Sequence, residues 1–203
     1  MGDHIENPDK EQLICGTLLD MMEEKSCFNI KVTDLVKRAG ISRSSFYVYF
    51  DSILDVVNRI ETDYIAGLPD VSTTAEITSA SFRYGERQLD KELELSYWNY
   101  VKDNMRTYQI LTGQNGEPLF RRRLENRFKR ISLSIIEQIV PDANPLESEV
   151  VASYLAGARM SIFDWWAFHS EEIDAETIQR LTSRLYWKTF DVALTDVLET
   201  RKR

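Results

Sequence analysis

The sequence predicts an all-α fold, organised as a small N-terminal helical unit followed by a larger helical bundle. Three observations carry this. Only eight glycines and five prolines occur in 203 residues, few for a β-chain that must turn every few residues. The segments between them are rich in Leu, Glu, Lys, Arg and Ala, which favour helix. Within those segments apolar residues recur every three or four positions, and capping or breaking residues fall at the segment ends.

Taken in order, residues 1–7 are polar and are expected to fray. Asn7-Pro8 forms a helix entry, with Asn as N-cap and Pro at the first helical position. That helix runs to about Lys25 with Ile14, Leu18 and Met21 on one side. A short second helix, from about Val32 to Ala39, buries Leu35 and Val36 and stops at Gly40. Ser42 caps a third, which ends near Tyr49, and Ser52 with Asp55 forms a capping pair for a fourth, which ends near Gly67 before Leu68-Pro69-Asp70. Residues 70–88 are rich in Ser and Thr yet carry Ile77, Phe82 and Tyr84, and their pattern assigns no element. Leu89 to Leu111 reads as one helix with Leu93, Tyr97, Tyr100, Val101, Met105 and Tyr108 at its apolar positions. A turn at Thr112–Glu117 follows, then a helix from about Pro118 to Val140, broken by Pro141. Asn144-Pro145 repeats the first entry signal and opens a helix ending near His169; Asp174 caps the last, from Ala175. The domains expected are residues 8–68 and residues 69–203.

With 43% hydrophobic and 11% aromatic residues the chain can build a sizeable core. Its formal net charge of −8 argues against nonspecific coating of nucleic acid. It leaves room for a local basic face, because a ligand responds to the field of the face it meets. Cys15 and Cys27 have no metal-ligand spacing, and only His4 and His169 could add imidazole. They are read as reduced structural thiols, and no metal or cofactor is expected. No apolar run suits a leader or a membrane span, so the location expected is cytoplasmic. There is no Gly-rich phosphate loop, nucleophile elbow or supportable histidine–carboxylate set; no enzyme is expected.

The stretch Ala39–Phe50, AGISRSSFYVYF, carries the functional signal. Two short helices joined by Gly40-Ile41-Ser42 have the form of a helix-turn-helix, spanning about residues 32–50. Phe46 and Phe50 are four apart, share a face, and can pack on Leu35 and Val36. Arg43, Ser44 and Tyr47, with Ser45 and Tyr49, lie on other faces. Arginine reaches guanine edges or phosphates, and hydroxyls bond phosphates or bases. Between Lys25 and Phe50 the charges are Lys25, Lys31, Lys37, Arg38 and Arg43 against Asp34 alone. The pattern by itself is also compatible with a solvated helical hairpin carrying ordinary surface charge.

The residues Val32–Val57, VTDLVKRAGISRSSFYVYFDSILDVV, resemble the N-terminal domain of the TetR (tetracycline-repressor) family of bacterial transcription regulators. The likeness rests on Ala39-Gly40-Ile41-Ser42 in the turn, Phe46-Tyr47 and Tyr49-Phe50 in the recognition helix, and Ser52 opening the fourth helix. Residues 100–128 also resemble the C-terminal domain of the branch that includes the regulator linked to dihydroxyacetone kinase. Two positions depart from the family pattern. Ile53 stands where a phosphate-contacting lysine is usual, and Lys31 stands where a threonine usually caps the second helix. The resemblance implies a homodimer, paired through the last two helices, that binds a palindromic operator in double-stranded DNA, most simply as a repressor released by a small effector. DNA contacts are expected at Thr33, Lys37, Ser42, Arg43, Ser44, Ser45, Tyr47 and Tyr49. The alternative is a protein-sensing adaptor or coactivator whose C-terminal domain binds a partner protein.

Other features have two readings each. Arg121, Arg122, Arg123, Arg127, Lys129 and Arg130 either solvate an outer face and pair with the acids around Asp90–Glu94 and Glu171–Glu176, or form a second nucleic-acid surface. Tyr97, Tyr100, Tyr108, Trp165, Trp166 and His169 are the candidate effector contacts, against ordinary core or dimer packing. For His169 the simpler role is a helix-end residue on the C-terminal dipole. Val151, Leu155, Ala158, Ile162 and Trp165 form one apolar stripe and Ile178, Leu181, Leu185 and Val192 a second. Either each is buried within its own subunit or the two helices pair with their symmetry mates in a four-helix bundle, and the resemblance implies the pairing. A closed bundle interior would favour the adaptor; a buried cavity lined by Tyr and Trp would favour the effector.

Overall fold

The computed structural model describes residues 8–70 and 91–200. The expectation for Asn7 as a cap, and those for residues 71–88 with Ile77, Phe82 and Tyr84, lie outside them, as do Leu89 and Asp90. Among the described residues the chain is all α. Its helices are α1 (Pro8–Glu24), α2 (Val32–Ala39), α3 (Arg43–Tyr49), α4 (Ile53–Gly67), α5 (Lys91–Asp103), α6 (Met105–Thr112), α7 (Leu119–Ile139), α8 (Pro145–Trp166) and α9 (Ala175–Thr200), with a single 3-10 turn at Cys27–Asn29. None of these helices is long and apolar enough to cross a membrane.

Local chemistry sets most boundaries. Gly40 ends α2 at φ 67°, a left-handed conformation that only glycine adopts without strain, and the Ile41 N–H returns to the Val36 carbonyl at 3.0 Å. The Ser52 Oγ accepts the Asp55 N–H at 3.2 Å; the Asp55 carboxylate reaches back one residue beyond the cap, to the Asp51 N–H at 3.1 Å. Asn144 Oδ1 accepts the Leu146 N–H at 2.9 Å, and Asp174 Oδ1 accepts the Thr177 N–H at 2.7 Å. That second bond holds the Asp174 carboxyl below its ordinary pKa. Lys31 occupies the N-cap of α2 and makes no side-chain capping bond.

The single helix expected over Leu89–Leu111 is two helices. Asn104, at φ −110° and ψ 19°, leaves the helical region between α5 and α6. Asparagine tolerates this because its side chain competes for backbone groups outside a helix. The apolar period continues through the break, so no breaker is visible in the sequence. Helix α8 also stops earlier than expected, at Trp166, and tight turns carry the chain from Ala167 to Glu172.

The described residues divide into two compact units, the first comprising residues 8–67 and Asn104–Arg121 and the second residues 68–70, 91–103 and 122–200. In the first, α1 packs against α2, α4 and α6. Its core holds Ile14, Leu18, Leu35, Phe46, Val56 and Val57. Tyr108 of α6 is buried there too, 6.1 Å from Tyr64 of α4 between ring centroids. Arg106 bridges Asp20 (2.6 Å) and Glu23 (2.9 Å) of α1, and the Cys27 N–H donates to the Asn115 carbonyl at 3.0 Å. Gly116 fits the turn after α6 because a Cβ there would collide with the Leu111 carbonyl.

In the second unit α9 packs against α5 and α8. Tyr97, Trp98, Phe128, Phe163 and Trp166 form a contiguous aromatic core, with neighbouring centroids 5.2–6.3 Å apart. An aliphatic cluster of Ile135, Ile136, Ile139, Val140, Ala152 and Leu155 surrounds Phe190.

Candidate nucleic-acid interface

Helix α3 is seated from within. Phe46 is fully buried and Phe50 nearly so, their centroids 6.1 Å apart, and α3 packs on α2, whose Leu35 and Val36 point inward. Ser42 fixes the start of the helix: its Oγ accepts the Ser45 N–H at 3.0 Å and lies 2.9 Å from the Ser44 Oγ. With the helix so anchored, Arg43, Ser44, Tyr47 and Val48 are exposed and lie in one strip, being paired at i,i+4. Tyr47 is 49% exposed and still sets its ring edge-on to Phe46 at 5.3 Å. Ser45 and Tyr49 form a flanking, partly buried pair, and Thr33 and Lys37 are exposed on α2. Sequence reasoning missed Val48. The signal was its position four residues after Ser44, which puts an apolar surface suited to a thymine methyl on the exposed strip.

The charges of this region separate into paired and available. Lys25 lies 3.6 Å from Asp34, and Arg38 Nη1 lies 2.6 Å from Glu24 Oε1. Lys31, Lys37 and Arg43 are exposed and form no ion pair with a described carboxylate. Ile53, at the start of α4, is 7% exposed and belongs to the core.

Of the six residues expected to contact an effector, Tyr97 and Trp166 share the aromatic core of the second unit, and the others have separate surroundings. Tyr108 sits in the first unit against Tyr64. Trp166 is fully buried, and its Nε1–H donates to the Ile173 carbonyl at 2.8 Å. Trp165 is half-exposed and stacks on His169 at 4.3 Å, while His169 Nδ1 lies 2.7 Å from the Trp165 carbonyl, which makes it a helix-end residue. Tyr100 is partly buried. Among these six only Tyr97 lines a space in the second unit.

That space is small, about 20 Å³, and is lined by Glu94, Tyr97, Phe128, Ser132, Arg159 and Tyr186 among others. Glu94 accepts from Gln179 Nε2 (2.6 Å) and Ser183 Oγ (3.3 Å), and the Ser132 and Tyr186 hydroxyls are 3.0 Å apart. Burial pushes the Tyr97 phenol up, Arg159 pulling the other way, and no hydrogen-bond partner of good geometry meets its hydroxyl. Burial also raises Tyr186. A half-open cleft of about 150 Å³ lies between α8 and α9, walled by Trp98, Tyr154, Arg159, Ile162, Leu185 and Tyr186. Arg159 was the residue missed here. It is a lone cation inside an otherwise apolar helical run, and that was its signal.

The expected apolar stripes face two ways. Leu155 and Ile178 are buried within the protomer, whereas Trp165, Leu181, Leu185 and Val192 face out, joined by Val150 and Tyr154. On α7, Lys129 pairs with Glu149 of α8, and Arg127 Nη2 donates to the Leu68 carbonyl at 2.8 Å. These partners differ from the acidic segments expected from the sequence.

Comparison with known proteins agrees with this architecture. The TetR_C_8 family model, described as a transcriptional regulator C-terminal region, matches residues 92–186. The HTH-type transcriptional regulator EthR of Mycobacterium tuberculosis is 39% identical over 56 residues, 26% of this chain and 26% of that protein. The EthR of Mycobacterium bovis gives the same figures. The match thus spans about a quarter of these relatives' length. A TetR-family transcriptional regulator from Streptomyces coelicolor shares the fold at TM-score 0.60 and 16% identity, covering 98% of this chain and 86% of that one. The dihydroxyacetone kinase operon activator DhaS aligns over 94% of this chain and 97% of its own, at 16% identity and TM-score 0.49. A helix-turn-helix with its aromatic anchors inward, matched by a TetR-type regulator over its N-terminal quarter, and a C-terminal region matched by a transcriptional-regulator model make this chain similar to TetR-family transcriptional regulators over both parts.

Proposed function

We propose that the protein is a homodimeric repressor that binds a palindromic operator through α2 and α3 and is released by a small effector bound in its second unit. The observation that carries the DNA half is the strip Arg43, Ser44, Tyr47 and Val48, exposed on a helix locked by the Ser42 cap and the Phe46 and Phe50 anchors. One cation, one hydroxyl, one phenol and one branched apolar group are the chemistry of base-edge and phosphate recognition. Lys31 and Lys37, exposed and without a described carboxylate partner, add positive charge against the net −8 of the chain. Thr33, Ser45 and Tyr49 flank the strip as phosphate contacts.

Dimerisation is supported by the outward apolar residues of α8 and α9. Tyr154 (64% exposed), Leu185 (61%) and Val192 (67%) would be costly to leave in water over a long, continuous face. Two-fold pairing doubles the phosphate contacts and matches an operator with half-sites about one helical turn apart, roughly 34–36 Å. Regulation follows from linkage. An effector that prefers a subunit arrangement with badly spaced recognition helices must weaken DNA binding by the same factor. The chain offers a route, because α5 carries Tyr97 and Trp98 and continues through Asn104 into α6, which is anchored in the first unit by Arg106.

The adaptor reading draws support from one fact: the inner space has room for about one water. The outer cleft supports the effector reading. The deciding experiment is selection of bound sequences from a random double-stranded DNA pool. Enrichment of a palindrome supports the proposal, whereas no enriched sequence at low as well as moderate salt would sink it, since salt alone hides weak binding.

A further inference from the structure

We propose that the effector is a small organic anion, a carboxylate on a compact aromatic or branched apolar body, held by Arg159 in the cleft between α8 and α9. This deepens the effector half of the function proposed above and rests on it only for the consequence at DNA.

Arg159 leaves α8 into a box of rings contributed by three other helices. Its guanidinium carbon lies 5.1 Å from the Tyr186 centroid, 5.3 Å from Tyr97 and 5.6 Å from Phe128. Ring faces offset the cost of holding a cation away from bulk water. They give no acceptor for the five N–H groups of a guanidinium in a fixed plane. No described carboxylate forms an ion pair with it. Glu94 borders the inner space only and already accepts from Gln179 and Ser183.

Arg159 borders both spaces. The inner one admits about one water, while a cavity of roughly 150 Å³, the size of the outer cleft, takes a single benzene-sized ring. Among the described residues Arg159 is the one charged residue lining that cleft, with walls of Trp98, Tyr154, Ile162, Leu185 and Tyr186. The cleft threonines are committed: Thr182 Oγ1 donates to the Ile178 carbonyl at 2.8 Å and Thr189 Oγ1 to the Leu185 carbonyl at 2.9 Å. The Tyr186 hydroxyl is already paired with Ser132. Arg159 is therefore the cationic donor of the cleft among the described residues, beside two neutral donors, the Tyr154 hydroxyl and the Trp98 Nε1–H. That combination selects a ligand that is acceptor-rich and negative at one end and apolar at the other. Tyr154 and Leu185 belong both to the cleft wall and to the outward apolar face, so filling the cleft alters the surface a second subunit meets.

The test uses the full chain without DNA, with benzoate, benzamide and benzylamine as probes of one shape and three charges, and 3-methylbutanoate as the branched counterpart. Binding is read by tryptophan fluorescence, Trp98 being in the wall, and by thermal shift. Benzoate or 3-methylbutanoate should bind saturably, and benzamide at least about tenfold more weakly than benzoate, as expected for loss of a charge-assisted bidentate pair. Benzylamine should be weaker still. Arg159→Met should abolish the preference for benzoate over benzamide, and Arg159→Lys should keep part of it. Benzamide matching benzoate within about twofold, or no carboxylate binding below about 10 mM, overturns the proposal. If Arg159→Met fails to fold by circular dichroism, Arg159→Lys and the wild-type charge series decide. Operator binding of the ligand-free protein is measured separately. Its loss would sink the regulator reading while leaving the anion preference standing, and the reverse result would do the opposite.

Discussion

The Ser42 Oγ stands 3.0 Å from the Ser45 backbone nitrogen and is the sole side-chain cap on the helix that carries Arg43. Ser42→Ala removes it and should destabilise the protein by about 1 kcal/mol, while Ser42→Asp, which can still cap, should hold stability near wild type. Urea unfolding of the two variants checks this. Both should weaken DNA binding, the second by placing a negative charge at the interface. Equal stability of Ser42→Ala and wild type would remove the cap from the account.

Arg43 is exposed, on a rigidly seated helix, and free of any described ion pair. Arg43→Ala should lower specific operator binding by ~1–3 kcal/mol if the side chain reads a base, with relaxed preference at one position of the site. Uniform weakening on all sequences would assign it to phosphate. Unchanged binding to both operator and random DNA takes Arg43 out of the interface.

The helix-turn-helix was legible in the sequence because everything that defines it is local. Gly40, Ser42, Ser52 and the i,i+4 pair Phe46 and Phe50 each act within a turn or two of chain. The break at Asn104 was not legible, because it is made by where the flanking residues are buried. Trp98 and Val101 pack in one unit and Met105 and Tyr108 in the other, all on a single uninterrupted period. The same partition assigns Tyr108 to the first unit and the other five expected effector residues to the second. Arg159 stood out from its own helix only as its lone cation. Its environment is supplied by Tyr97, Phe128 and Tyr186, separated by tens of residues, and no periodicity in one segment reports on that.

Leu185 lies among outward apolar residues of α9 and is 61% exposed in the protomer. Leu185→Glu should therefore leave the protomer folded, since exposed substitutions seldom cost more than about 0.5 kcal/mol. It should split the dimer by burying a charge in an apolar seam. Sedimentation velocity with circular dichroism tests both halves. A variant that stays dimeric at wild-type affinity places the subunit interface elsewhere.

Alkaline pH should loosen the first unit through Cys15. Burial, with the nearby Glu11 and Asp63 carboxylates, pushes its thiol from 9.0 up to about 12, with Arg59 pulling the other way. The unfolded chain then loses this proton from about pH 9 while the folded chain keeps it. Stability present below pH 9 is lost progressively as pH rises toward 12. The denaturant midpoint of wild type should fall more steeply over that window than that of Cys15→Ala. Parallel curves for the two proteins would show that other groups carry the alkaline loss.

Lys31 sits at the N-cap of α2 with extended backbone, φ −100° and ψ 147°, and its side chain caps nothing. Its carbonyl already accepts the Asp34 and Leu35 N–H groups at 3.0 and 3.1 Å, so the backbone is set for a capping residue. Lys31→Thr supplies a hydroxyl able to accept an amide of the first turn and should raise stability by about 1 kcal/mol. The same change removes an exposed cation with no described carboxylate partner. If Lys31 touches phosphate, affinity should fall about equally on all DNA sequences, and the slope of log affinity against log salt should shrink by about one. The two readouts are independent. A stabilised variant with an unchanged salt slope keeps the cap and removes the phosphate contact. A destabilised variant contradicts the geometry of the α2 start.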